Sequence, residues 1–143
     1  MPTRKLGFAA LMTAVYSRLT TNALTLAYSF YNHVPPDTPY PYHVIGRPMG
    51  VRSAFYETRD TAAEDNAFQI DSWVDRTSGL GDKATADMMN NIIQALTGSA
   101  LTITGYNAIY LYLDYSEILL DPDNPELLLR HGVLRFRQDM SPT

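Results

Sequence analysis

A chain of 143 residues fits one ordinary domain that buries about two-thirds of its unfolded surface, so a core is possible without disulfides or metal. The absence of cysteine excludes disulfides, thiol catalysis and thiolate metal sites, and permits a reducing compartment. Eleven Lys and Arg against fifteen Asp and Glu give a net charge of −4, with no basic run longer than Arg4-Lys5, so nothing grips a phosphate backbone.

Hydrophobic residues make up an ordinary 45%, but charged residues only 18%, which leaves a surface thin in charge. Ten tyrosines and one tryptophan supply much of the difference. Such side chains suit protein interfaces because they bury a large area while keeping a polar tip, and they equally suit a core or its rim.

Arg4-Lys5 followed by the apolar stretch Leu6 to Tyr16 has the outline of a secretory signal. The stretch reads instead as an amphipathic helix over about residues 4–20, because Phe8, Met12, Val15 and Leu19 fall on one stripe with Leu11 beside them. No run reaches the roughly eighteen apolar residues that span a bilayer, so no membrane partner is expected. After Thr20-Thr21-Asn22 a short turn leads to a strand through Tyr28, Phe30 and Asn32. Pro35, Pro36, Pro39 and Pro41 forbid a helix and ladder donation, which makes that stretch a loop into a strand from Tyr42 to Ile45.

From Met49 to Asn66 the sequence is polar and mixed in charge, and it predicts a long exposed arm. Arg52, Phe55, Tyr56 and Arg59 on this arm are candidate interface residues. The alternation of Phe68, Ile70 and Val74 against Gln69, Asp71, Trp73 and Asp75 then predicts the clearest strand in the chain. Gly79, Gly81 and Asp82 introduce a second helix, with Asp82 as N-cap and Gly98 as terminator. Its apolar stripe is Ala86, Met89, Ile92, Ile93 and Leu96.

Leu101 to Ile103 and Ala108 to Tyr115 read as extended, with Ile109, Leu111 and Leu113 opposite Tyr110, Tyr112 and Asp114. Asp121 to Pro125 is a turn into a last strand over about residues 127–138. There Leu127 and Leu129 share one phase and Leu134 and Phe136 the other, which predicts a bulge at His131-Gly132. The order of elements predicts a single α+β domain over 1–143, mainly an antiparallel sheet with both helices on one face. Trp73, Tyr110 and Tyr112 are candidates for the uncovered face, either as an interface or as cover for their own sheet.

Chemistry is sparse. His33, His43 and His131 lack metal-ligand spacing, and Asp121-Pro122-Asp123-Asn124 lacks the later glycine and glutamate of a calcium loop. Gly79-Leu80-Gly81-Asp82-Lys83 has the wrong spacing for a phosphate loop, and no serine sits in a nucleophile elbow. Asp71 and Asp75 stand roughly 13 Å apart along one strand, too far for shared acid–base work. No catalytic, cofactor or metal residue is assigned, and the chain is expected not to be an enzyme.

The N-terminal helix, the proline-rich entry to Pro41-Tyr42-His43-Val44-Ile45 and the polar arm fit one family pattern. So do the strand Gln69-Ile70-Asp71-Ser72-Trp73, the helix from Asp82 and the closing strand His131 to Phe136. From about residue 6 to 138 the chain thus resembles the tail terminator, or tail completion, proteins of long-tailed phages and gene-transfer particles. The resemblance implies a virion protein forming a ring, typically of six copies, that ends tail-tube growth and joins the tail to the head connector. It implies as partners the chain itself, the tail-tube protein and a connector or stopper, with DNA passing through the lumen without specific binding. It implies a place in the virion neck, with assembly in the host cytoplasm. The alternatives are another neck or minor tail protein, or a small α+β ligand-binding domain or enzyme.

Overall fold

The computed structural model describes residues 7–53, 63–75, 81–121 and 129–143. Two helices pack on one face of a six-stranded, mainly antiparallel sheet, the expected α+β architecture.

Helix α1 (Phe8–Thr21) buries Leu11, Ala14, Val15 and Leu19, whose spacing keeps them on one side of the helix. It stops at Asn22, whose side-chain oxygen accepts the Leu24 N–H in a tight turn. The strand expected next shrinks to β1 (Phe30–Tyr31), because residues 22–28 spend their backbone groups on turns such as Leu26 N–H to Asn22 O. The proline-rich loop follows as expected and delivers β2 (Tyr42–Ile45), parallel to β1.

Both ends of the expected arm are strand. Its first residues form β3 (Met49–Ser53), and its last three open β4 (Glu64–Val74); residues 54–62 lie outside the described residues. Polar residues enter the strands there because long-range partners receive them. Asp65 is an acceptor for Arg137, and Asn66 lies against Met140.

Helix α2 (Asp82–Thr97) begins one residue earlier than capping by Asp82 requires. Gly81 holds the N-cap position, and Asp82 sits in the first turn, where its charge suits the helix dipole and pairs with Arg130. Gly98 ends the helix as expected. The buried stripe is turned slightly from the expected one, running through Thr85, Met88, Met89, Ile92, Ala95 and Leu96.

Arg18 of α1 reaches across to the end of α2 and donates to the carbonyls of Ala95, Ser99 and Ala100 at 2.9, 3.1 and 2.9 Å. One guanidinium thus satisfies several carbonyls left over at a helix C-terminus. Leu101 and Ile103 are buried in the core but outside any strand, and Gly105, at φ 83°, turns the chain into the next one.

The long strands β5 (Tyr106–Leu120) and β6 (Arg130–Pro142) complete the order β1-β2-β4-β6-β5, with β3 beside β4 on the same edge as β2. The expected bulge at His131-Gly132 is absent. Trp73 opposes His131 and Ser72 opposes Gly132 without a break. Leu129, buried, precedes the strand, so no change of phase is needed within it. Gly132 instead fits under α2, where an added Cβ would lie 2.8 Å from Met89 Sδ. The irregularities fall in β5, between Ala108 and Tyr110 and between Leu113 and Tyr115.

The core lies between the helices and the sheet. Phe68 stacks on its cross-strand partner Phe136 at 5.4 Å, and Ile70 and Leu134 pair beside them under Val15, Ile92 and Leu96. Each of these buried side chains stabilises the fold by roughly 1.5–3 kcal/mol relative to exposure.

Candidate interaction surface

Strand parity assigns the opposite face. Residues directly opposed across a ladder share a face, so everything aligned with Trp73, Asp71, Gln69, Ala67 and Asp65 lies away from the helices.

At one end the register Tyr42, Trp73, His131, Leu119 crosses four strands. The Trp73 and His131 rings stack at 4.0 Å and 9°, and His131 Nε2 lies 2.6 Å from Asp71 Oδ1. The same oxygen accepts from Gln69 Nε2 at 2.9 Å. Tyr40 stacks on Tyr42 at 5.1 Å, with Tyr31 edge-on at 6.4 Å. Burial, and then Tyr40, push the Tyr42 hydroxyl pKa up.

At the other end Tyr110 and Tyr112 stack at 5.3 Å above Asp139 and Arg137, their partners in the ladder. Arg137 Nη2 donates to Asp65 Oδ2 at 2.8 Å. Asp65 directly opposes Asp139, a like-charge pair that Arg137 bridges on one side. The Asp139 carboxyl pKa is raised, first by burial and then by the Asp65 charge, with Arg137 working against both. The clusters around His131 and Arg137 stand about 20 Å apart along β6.

The face thus carries all three aromatic residues expected on it, but it separates Trp73 from the Tyr110–Tyr112 pair. Arg52 lies on β3, paired in register with Asp65, while Phe55, Tyr56 and Arg59 lie outside the described residues. Tyr42 and His131 complete the Trp73 cluster, and neither was among the interface residues expected from the sequence. The parity of Tyr42 beside a proline-rich loop was the available signal for the first.

Among the described residues no group of three His, Asp or Glu side chains could hold a metal. Two clefts, one between the C-terminal end of α2 and Ala108–Leu111, the other between α2 and Ser116–Ile118, measure about 190 and 210 Å³. Both fall below the roughly 300–1,000 Å³ of small-molecule sites. No helix among the described residues is long and apolar enough to cross a membrane.

Among the described residues the fold is thus a helix-backed sheet with an aromatic open face and a long edge strand, an architecture that offers broad contact area. The family profile of "Tail completion protein gp17" matches residues 10–140, and the chain belongs to that family. A similar relative is the tail completion protein gp17 of Bacillus phage SPP1, 26% identical over 101 residues that span 71% of this chain and 68% of the relative. The fold is also similar to that of a chain in the virion of a native gene transfer agent particle, with a TM-score of 0.77. That likeness covers 93% of this chain and 96% of the other at 22% identity, and it shows the shared fold.

Proposed function

We propose that this protein is a structural component of a phage-type virion that forms a ring at the head-proximal end of the tail. There it ends tube polymerisation and offers a surface to the head connector. The family match over residues 10–140 carries this reading. The fold supports it physically, because among the described residues both helices pack on one face of the sheet and leave its other face and the β5 edge uncovered by helix.

The proposed action is geometric and involves no catalysis. Partners are copies of the chain, the tail-tube protein below and a connector or stopper above, in the virion neck after assembly in the host cytoplasm. A net charge of −4 suits a conduit through which DNA slides without specific binding. Arg52, Phe55, Tyr56 and Arg59, with Trp73, Tyr110 and Tyr112, are the proposed contact residues.

Native mass spectrometry and negative-stain microscopy of the purified chain, alone and with tail-tube subunits, test the reading. A closed oligomer, six copies by family resemblance, that seats on tube ends is the expected result. A monomer at every concentration, with no ring on tubes, would refute it.

A further inference from the structure

The two edges of the sheet differ in length and charge. β5 runs fifteen residues with β6 as its one ladder partner among the described residues, so a full row of its N–H and C=O groups faces away from the sheet. A long apolar edge of this kind is a template for another strand, and proteins that keep an edge solitary commonly place Lys or Pro on it. β5 contains no Lys, Arg or Pro. Five of the nine exposed large hydrophobics among the described residues, Ile109, Tyr110, Tyr115, Leu119 and Leu120, lie on it. Apolar exposure is therefore concentrated where pairing would cover it.

The register limits where a strand can dock. The shifts at Ala108/Tyr110 and Leu113/Tyr115 break the first half of β5, but Tyr115–Leu120 runs unbroken against Arg135–Arg130. Those six residues offer about 20 Å of regular edge. On the far side of the sheet β3, five residues long, has β4 as its one ladder partner among the described residues.

Charge selects the occupant. Residues 106–121 hold Asp114, Glu117 and Asp121 and no base, while residues 42–53 hold Arg47 and Arg52 and no acid. Two copies joined β5 to β5 would set acid against acid, whereas β5 against β3 sets acid against base. We infer that Tyr115–Leu120 of one copy pairs with Met49–Ser53 of the next, so that the sheets run on from subunit to subunit. The inference rests on the proposed ring and specifies its joint. Such a contact is heterologous: each copy uses both edges, and a rotation that divides a full turn, with no rise, closes the copies into a ring.

Engineered cysteines report cleanly because the chain has none of its own. Met49 and Leu119 are exposed, so Met49→Cys and Leu119→Cys leave the core intact. Full-length protein carrying both, oxidised after assembly, is expected to give a covalent ladder ending at the ring number on a denaturing gel. Each single variant is expected to stay monomeric there. Met49→Cys with Glu117→Cys, two residues along the same face, covers the neighbouring register. Disulfide dimers from Leu119→Cys alone would show β5 against β5 and overturn the inference. A ring seen by native mass spectrometry but unlinked in both double variants would remove this joint and leave the ring reading standing. If the unmodified chain forms no ring, both readings fall together.

Discussion

His43 makes the stability of this fold fall below neutral pH. It sits on β2, 1% exposed, with Nδ1 2.7 Å from Ser72 Oγ and its ring 5.2 and 5.1 Å from those of Tyr28 and Phe30. Burial lowers its pKa from 6.5 to about 4, because nothing in this apolar setting solvates an imidazolium. The unfolded chain binds a proton at about pH 6.5, and the folded chain does not until about pH 4. The contribution is therefore complete above about pH 7 and is lost as pH falls through that window. A gap of about two and a half units corresponds to about 3 kcal/mol, a large part of the ~5–15 kcal/mol that stabilises a typical domain. Urea unfolding followed by the fluorescence of Trp73, the one tryptophan, between pH 7 and pH 4 measures it. His43→Gln keeps a polar partner for Ser72 but cannot titrate. The wild type is expected to lose about 3 kcal/mol more than this variant across the window, since carboxylate contributions are common to both. A stability difference between the two proteins that stays constant from pH 7 to pH 4 would refute the reasoning.

Arg18→Met, which keeps the apolar stem but loses the donors to Ala95, Ser99 and Ala100, is expected to cost about 2 kcal/mol in urea unfolding. Arg18→Lys should recover less than half of that, because a point charge cannot span several carbonyls. Leu134→Ala, at a fully buried position between Ile70 and α2, is expected to cost about 3 kcal/mol and lower the thermal midpoint accordingly. Asp139→Asn is expected to stabilise the fold at pH 7 by about 0.2–1 kcal/mol, by removing the charge opposite Asp65. Since the Asp139 pKa is raised on folding, this gain should vanish below about pH 4, where the wild-type carboxyl is protonated in both states. Replacing residues 54–62 with a short Gly-Ser loop, which spares β3 and β4, is expected to leave cooperative unfolding unchanged and to abolish head joining in a particle-assembly assay.

Local patterns were legible in the sequence, and partners distant along the chain were not. The alternation around Phe68, Ile70 and Val74 identified the central strand and its core face, and the stripe through Phe8, Met12, Val15 and Leu19 identified α1, whose buried side is turned slightly to Leu11, Ala14, Val15 and Leu19. The same reasoning failed at Glu64 to Asn66, where polar residues looked exposed. They enter the strand because Arg137 and Met140, far along the chain, pair with them. The bulge was misplaced for a related reason. The change of phase counts Leu129 as part of the last strand, but Leu129 precedes β6, whose ladder with β4 runs unbroken. The irregularities lie in β5, where Tyr110 and Tyr112 change parity to Tyr115, Glu117 and Leu119 across Asp114. The Trp73–His131 stack could not be read locally, since it exists only through the β4–β6 register.

The places where this fold departs from the rules of a solitary domain adjoin one another on β4 and β6. Asp65 Oδ1, Arg137 Nε and Gln138 Oε1 are buried without hydrogen-bond partners among the described residues. All three lie on adjoining positions of β4 and β6, and Gln138 Nε2 donates to Tyr110 O at the first irregularity of β5. Each such atom costs about 1–3 kcal/mol of desolvation wherever no partner meets it. The helix-backed face spends its residues on a tightly filled apolar core, with Phe68, Ile70, Leu134 and Phe136 at most 2% exposed. Local conflict next to a consistent core fits the contact surface proposed above. Asp65, Arg137 and Asp139 share the open face, Gln138 faces the helices, and β5 forms the far edge, so the conflicts span the sheet from β4 to β5. In the proposed assembly a partner seated on the open face offsets the cost at Asp65 and Arg137, and a strand docked on β5 covers its exposed apolar residues.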